Sequence, residues 1–484
     1  MGKHQHEIRD PIHVFVHLNS DERKILDSRA FQRLRYIHQL ALTYLLYPGA
    51  THRRFEHSLG VMELAGRVFD VVTNRDNVLP EVQEALPEIT QKNQLDYWRS
   101  ALRVAALCHD IGHLPFSHAA EKALLPDGWN HERLTRELIL SPEMTDLLNQ
   151  MTPPLRPLEV VKLAIGPKKA KDLPFSSWES ILAEIIVGDA FGVDRMDYLL
   201  RDSHHAGVAY GKFDHYRLID TLRILPAPPA DKAEHEWMIE EIIAGLTVYD
   251  NEHGTEEEGE SKEGPAKTAG ASRKAPMGEP ALGVEEGGIH SAEALMLARY
   301  FMYSQLYFHP VRRIYDIHLK DFLLEWLEGG RFSTDVTKHL EMTDNEVTAA
   351  FLKAARDAGL PGHDAARRIV FHQHFHLLYQ RHPDDVAVNP EAGQAISLAA
   401  SEKFGKERVR WDRYASEGDL ADFPLRTKDG RIVSSTAISD TLAKLPVLSI
   451  DYVFVDPVIL KESQGWLRAN RAELIKPKEA TDHG

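Results

Sequence analysis

Four side chains have the types and spacing to hold one metal ion: His57, the adjacent pair His109-Asp110, and Asp194, each set in an otherwise apolar helical stretch. Two imidazoles and two carboxylates balance a divalent cation and leave open positions in an octahedral shell. A water and a phosphoryl oxygen would fill them, the arrangement of metal-assisted hydrolysis. A lone helical histidine is more often core or surface than ligand, so the neighbouring residues matter. Arg53 and Arg54 lie one helical turn before His57, putting a phosphate clamp on the face of a metal ligand. His113 follows His109 by one turn, and His118 and His131-Glu132 come after it. From Asp194 onward, Tyr198, Arg201, Asp202 and His205 recur at three- and four-residue steps, so one helix face gathers carboxylate, phenol, guanidinium and imidazole.

The elements that must position these residues are mostly helices. Apolar residues at helical spacing predict helices over 21–46, 55–73 and about 96–111, the last stopped by Gly112 and Pro115. His109-Asp110 then falls in a last helical turn, where the negative end of the helix dipole favours a cation. Further helices are expected over 178–187 and from Val193 onward. Between 250 and 290, Glu, Gly, Lys, Pro and Ala replace the apolar pattern. A mobile acidic insertion is expected there, since too little apolar surface is on hand to offset ordering entropy. Helical patterns resume at Ala292 and run to about 415. Residues 423–434 read as a hairpin around Asp429-Gly430, and 447–455 as a strand. The expected fold is mainly α with a small C-terminal β appendage.

Composition sets the outer bounds. The 484 residues are 43% apolar and 27% charged, which suits a folded chain. No stretch nears the roughly 18 uninterrupted apolar residues of a membrane span. The first residues, Met1-Gly2-Lys3-His4, lack the apolar centre of a secretory signal. Cys108 is the single cysteine, which excludes an internal disulfide framework and most zinc-finger patterns. A soluble cytoplasmic protein without a membrane partner is expected. The net charge of −16, from 57 basic and 73 acidic residues, argues against nucleic acid as a partner.

The order His57, His109-Asp110, Asp194 resembles the H…HD…D signature of the HD superfamily of metal-dependent phosphohydrolases. Longer strings sharpen the resemblance: Phe31-Gln32-Arg33-Leu34-Arg35-Tyr36, Arg54-Phe55-Glu56-His57-Ser58-Leu59-Gly60-Val61, His109-Asp110-Ile111-Gly112-His113-Leu114-Pro115-Phe116-Ser117-His118 and Asp194-Arg195-Met196-Asp197-Tyr198. They are similar to the deoxynucleoside triphosphate triphosphohydrolases of the sterile-alpha-motif/HD-domain type, without a counterpart of the sterile-alpha-motif domain. The likeness spans roughly 8–225 and, more weakly, 295–320. It implies an HD-domain helical core over 1–249, the insertion over 250–290, a helical region completing the core over 291–418, and a small β-containing region over 419–484.

The resemblance also implies roles. A deoxynucleoside triphosphate would be cleaved at the α-phosphorus into deoxynucleoside and tripolyphosphate. His57, His109, Asp110 and Asp194 would hold iron, manganese, zinc, nickel or cobalt, with magnesium on the substrate phosphates; some members hold two metals through extra histidines, a role open here to His113, His118 and His131. Arg54 and His113 would contact phosphate. His118 would touch the α-phosphate or position the attacking water, and His131 would protonate the departing 5′ oxygen. Arg195 would meet a phosphate oxygen, Tyr198 and Asp202 would line the sugar, and Gln39 would touch its 3′ hydroxyl. Asp27, Gln32 and Arg35 match residues that grip an activating guanine nucleotide at a subunit interface in regulated members. On its own, Asp27 reads equally well as a cap for a helix starting near Ser28. The lysine-bearing strand of those members is replaced here by 4–7, and Tyr307 stands where they carry a substrate-phosphate arginine, with Arg312 or Arg313 as substitutes. A homo-oligomer, dimer or tetramer, is implied, with 300–307 as interface or core. Two other readings stay open: a phosphodiesterase or phosphatase acting on another nucleotide, and a non-catalytic nucleotide-sensing scaffold.

Overall fold

Asn19 and Ser28 decide how the first helical stretch folds. In the computed structural model, which describes residues 5–117, 121–227, 279–415 and 422–476, the Asn19 side chain accepts the Asp21 and Glu22 amides and starts the helix Ser20–Leu26. The Ser28 hydroxyl accepts the Phe31 amide and starts the short helix Arg29–Gln32, followed by 3₁₀ turns at Arg33–Tyr36 and Ala41–Leu45. The continuous helix expected over 21–46 is therefore broken, because these caps satisfy backbone groups that a single helix would need. Ahead of it lies an unanticipated hairpin of β1 (His6–Asp10) and β2 (Val14–Leu18), in register His6 to Leu18.

The helices around the predicted ligands form close to where apolar spacing puts them: α1 (Arg54–Val72), α2 (Lys92–Cys108), α4 (Ser177–Val187) and α5 (Val193–Ala206). Between them α3 (His131–Ile139) forms, which the spacing did not predict. Leu59, Val61, Met62, Leu64 and Val68 of α1 and Leu102, Val104 and Leu107 of α2 are fully buried in one core. Each large aliphatic side chain so buried contributes about 1.5–3 kcal/mol. After the long gap come α6 (Ile289–Met302) and α7 (Pro310–Trp326), with a π-helical turn at Tyr303–Tyr307 between them. Among the described residues, no helix is long and apolar enough to cross a membrane.

The fold is mainly α, as expected, but the β structure is placed differently. The hairpin at Asp429-Gly430 forms between β7 (Pro424–Arg426) and β8 (Ile432–Ser434). The hairpin also extends inward, because β7 pairs in parallel with β4 (Pro280–Glu285), which pairs in turn with β3 (Leu222–Pro226). Strand β4 lies inside the stretch expected to be a mobile insertion. Its Leu282, Gly283 and Val284 are buried and its backbone is satisfied on both sides, so 280–290 belongs to the fold. Residues 250–278 of that expected insertion lie outside the described residues. The strand Ser449–Val455 (β9) sits between β5 (His376–Gln380) and β6 (Val409–Ala415), both from the region expected to be wholly helical. A strand as apolar as β9 needs a partner on each edge, and β5 and β6 supply them.

Candidate metal centre

Helices α1 and α5 and the turn after α2 bring the four predicted ligands together. His57 lies in the first turn of α1 with no measurable exposure. Its Nε2 is 3.0 Å from Asp194 Oδ1 and 3.7 Å from Asp110 Oδ2. His109 is the residue at which α2 stops, so the His-Asp pair sits in the turn just beyond the helix rather than in its last turn. Donor atoms of His57, His109 and Asp110 all lie within 4.8 Å of one another.

The chemistry of this donor set fits a cation. His109 Nδ1–H donates to the Ala106 carbonyl at 2.8 Å, so in the neutral ring Nε2 carries the lone pair. That Nε2 is buried without a hydrogen-bond partner and faces Asp110 Oδ1 at 3.3 Å and Asp194 Oδ1 at 3.4 Å. A lone pair turned toward two carboxylate oxygens is unfavourable unless positive charge lies between them. The same field acts on His57: burial opposes its charge, but hydrogen bonds to Asp194 and Asp197 prevail and lift its imidazole to about 10. For Asp110, burial favours the neutral acid, yet Arg54, His109 and His113 hold it well below the usual carboxylate range.

The residues expected around the metal are distributed as follows. Arg54 is ion-paired with Asp110, and its Nε donates to Ser117 Oγ at 2.9 Å. His113 Nε2 approaches Asp110 Oδ1 at 3.2 Å, and its ring stacks on His131 with centroids 4.0 Å apart. Burial, Arg54 and His131 keep His113 neutral by lowering its affinity for a proton. The Glu121 carboxylate orients His131, accepting from its backbone amide at 2.6 Å and meeting its Nδ1 at 2.8 Å. Gly112 makes this approach possible, since a Cβ there would run into the His131 carbonyl and the Thr135 amide. Thr135 Oγ1 then locks the turn, accepting from the Gly112 amide at 3.1 Å and donating to the His109 carbonyl at 3.2 Å. His118 lies outside the described residues.

The predicted sugar-side residues form a second group. The Gln39 Oε1 acceptor is buried without a hydrogen-bond partner. Asp202 is buried with both oxygens engaged, Oδ1 by His52 Nε2 at 2.7 Å and Oδ2 by the Tyr307 hydroxyl at 2.7 Å. The Tyr198 hydroxyl lies 3.5 Å from that of Tyr303. Arg195 Nη1 donates to the carbonyls of Gly188, at 3.1 Å, and Asp189, while its Nε is buried without a hydrogen-bond partner. Arg312 is likewise committed, donating to Thr43 Oγ1 at 3.0 Å and to the Tyr307 carbonyl, and Arg313 pairs with Asp412 at 2.6 Å.

Asp27, Gln32 and Arg35 form a local chain of contacts. Asp27 closes the helix Ser20–Leu26 and pairs with Arg23 at 2.8 Å, so the cap of the next helix is Ser28. Gln32 Nε2 donates to the Leu26 carbonyl at 2.8 Å, and Gln32 Oε1 accepts from Arg35 Nε at 2.9 Å. The Arg35 guanidinium lies 3.5 Å above the Phe55 ring.

A cavity of about 580 Å³ opens beside the cluster. Its lining includes His109, Asp110, Asp194 and His131 together with the exposed Lys168 and Lys169, Glu184, Leu282 and Phe423. Burial pushes the Glu184 carboxyl up to about 7, against the Leu282 amide that donates to it at 3.2 Å.

Sequence reasoning missed Asp197, Arg201's role, His13 and Glu121. Asp197 Oδ2 accepts from His57 Nδ1 at 2.8 Å, and its Oδ1 meets His13 Nε2 at 2.7 Å. The signal was present, since Asp194, Asp197 and Arg201 follow at three and four residues on one helix.

Known proteins bear on this geometry. A model of the HD domain matches residues 54–143, and one of the HD associated region matches 273–405. An uncharacterized protein of Methanocaldococcus jannaschii is 29% identical over 412 residues, covering 84% of this chain and 67% of its own. The deoxynucleoside triphosphate triphosphohydrolase SAMHD1 of Homo sapiens is 34% identical over 238 residues, and the chain spans only 36% of its length. An uncharacterized protein of Bacillus subtilis is 31% identical over 319 residues, and the chain spans 54% of that one. The crystal structure of a hypothetical protein from Aquifex aeolicus superimposes with a TM-score of 0.70 at 29% identity, covering 96% of this chain and all of that one. The cluster of His57, His109 and Asp110 therefore lies within an HD domain, which supports a metal-dependent hydrolase.

Proposed function

We propose that the protein hydrolyses deoxynucleoside triphosphates to deoxynucleoside and tripolyphosphate, with His57, His109, Asp110 and Asp194 holding a divalent metal. The observation that carries this reading is the convergence of those donors, with His109 Nε2 buried and turned toward two carboxylates. A metal bound there supplies Lewis acidity to a phosphoryl oxygen and lowers the pKa of a water.

The protein's own residues do the rest. Arg54 borders Asp110 and neutralises negative charge developing on the α-phosphate. His131 protonates the departing 5′ oxygen from Nε2, and the Glu121 carboxylate at Nδ1 steadies the imidazolium before transfer. Gln39 Oε1 accepts the sugar 3′ hydroxyl, which supplies the donor it lacks. Asp202, fixed by His52 and Tyr307, holds Tyr307 against Tyr198 on the sugar side. The likeness to SAMHD1 relatives of cattle and human, named as deoxynucleoside triphosphate triphosphohydrolases, supports the substrate class.

The test is to incubate the protein with each deoxynucleoside triphosphate and Mn²⁺ or Co²⁺, then separate products by anion exchange. Tripolyphosphate and deoxynucleoside in equal amounts are expected. Release of pyrophosphate or orthophosphate, or turnover confined to cyclic nucleotides or monophosphates, would reject the proposal in favour of another HD-type phosphohydrolase.

A further inference from the structure

Asp197 is a carboxylate with every acceptor position used. Its Oδ2 takes His57 Nδ1 at 2.8 Å and Arg201 Nε at 2.8 Å, and its Oδ1 takes His13 Nε2 at 2.7 Å and Arg201 Nη2 at 3.0 Å. Arg201 Nη1 continues to Asp10 Oδ2 at 2.8 Å. Asp10 Oδ1 accepts the amides of Ile12 and His13, both at 2.8 Å, and so shapes the turn that delivers His13. All of these side chains are buried. Two of them, Asp10 and His13, come from the N-terminal hairpin, which lies outside the span matched by the HD domain.

We propose that this hairpin is a working arm of the metal centre, with His13 and Asp197 as positioning residues for His57. A His57 that yields its Nε2 proton to a metal while donating from Nδ1 to Asp197 presents the lone pair of Nε2 toward Asp110 and Asp194. The carboxylate behind it raises the basicity of that nitrogen and stops ring rotation. Asp197 can do this only while its own orientation is fixed, and His13 and Arg201 fix it from the far side. Gly60 leaves the room: a Cβ there would overlap Asp197 and Arg201. Hairpin docking and metal binding are thus two ends of one network, and linkage requires each to strengthen the other by the same factor.

The inference rests on the metal reading of His57, and Co²⁺ alone tests the two separately from any nucleotide. The full chain is titrated with Co²⁺, following visible absorption and affinity, for wild type, His13→Ala, His13→Gln and Asp197→Asn. Loss of a partner behind a metal-bound histidine costs about 10- to 100-fold in metal affinity. His13→Ala and Asp197→Asn should each weaken Co²⁺ by about that range and shift the absorption band, while His13→Gln, which keeps a donor at the Nε2 position, restores both. Co²⁺ should also slow hydrogen exchange of the amides over 6–18 in wild type and less so in His13→Ala. If Asp197→Asn does not fold, the His13 pair and the exchange readout still decide. Co²⁺ affinity and spectrum unchanged in a folded His13→Ala overturn the proposal; failure of wild type to bind Co²⁺ overturns the metal reading beneath it.

Discussion

Glu184→Gln offers a test of the cavity whose size follows from the structure. Glu184 lies on α4, lines the cavity and accepts the Leu282 amide of β4 at 3.2 Å. Burial raises its carboxyl from 4.5 to about 7. The folded state therefore holds this proton more tightly than the unfolded chain, and stability falls as pH rises between about 4.5 and 7. With the ionised group fully formed at about pH 8, the penalty is roughly 3 kcal/mol; at about pH 5 most of it is absent. Glutamine keeps an oxygen for the Leu282 amide and has no charge to desolvate. The variant should thus exceed wild type in stability by about 2–3 kcal/mol at pH 8 and by less than about 1 kcal/mol at pH 5. Equilibrium denaturation of both proteins at the two pH values measures the difference. Equal stability of the pair at both pH values would refute the argument, and so would a benefit that grows on acidification.

Other expectations follow from single contacts. Gly60→Ala places a methyl group against Asp197 and Arg201, so it should lower stability by about 1–3 kcal/mol or more and reduce metal content together, read by thermal unfolding and elemental analysis. Tyr307→Phe removes one of two donors to buried Asp202 and should cost about 1 kcal/mol in unfolding free energy, with KM rising more than kcat falls. His131→Gln should lower kcat about 10²- to 10⁴-fold in a turnover assay while leaving the bound metal in place.

The helices that bear the ligands were legible because burial imposes a 3.6-residue period, and α1, α2 and α5 form at the expected places. The four ligands were legible for the same reason, each standing as a polar residue inside an apolar run. What spacing alone could not give is partner choice across distant segments. His13 reads as an isolated polar residue until the hairpin turn delivers it to Asp197, 184 positions away. The strands were partly hidden because β4, β5 and β6 lack the apolar run that marks β9 and are paired only through β3, β7 and β9. Arg195 has the charge for a phosphate, yet the nearby carbonyls of Gly188 and Asp189 take up its Nη1, a pairing that spacing does not announce. Asp202 likewise has the right type for a sugar contact, but His52 and Tyr307 occupy both its oxygens.

Anomalous diffraction from a Mn²⁺-soaked crystal of the full chain tests most directly whether the four side chains serve one cation. A single strong peak ligated by His57 Nε2, His109 Nε2, Asp110 and Asp194 is the predicted result. A saturated soak with no density among those atoms, or with the ion bound elsewhere and the His109 nitrogen still facing the two carboxylates, would contradict it.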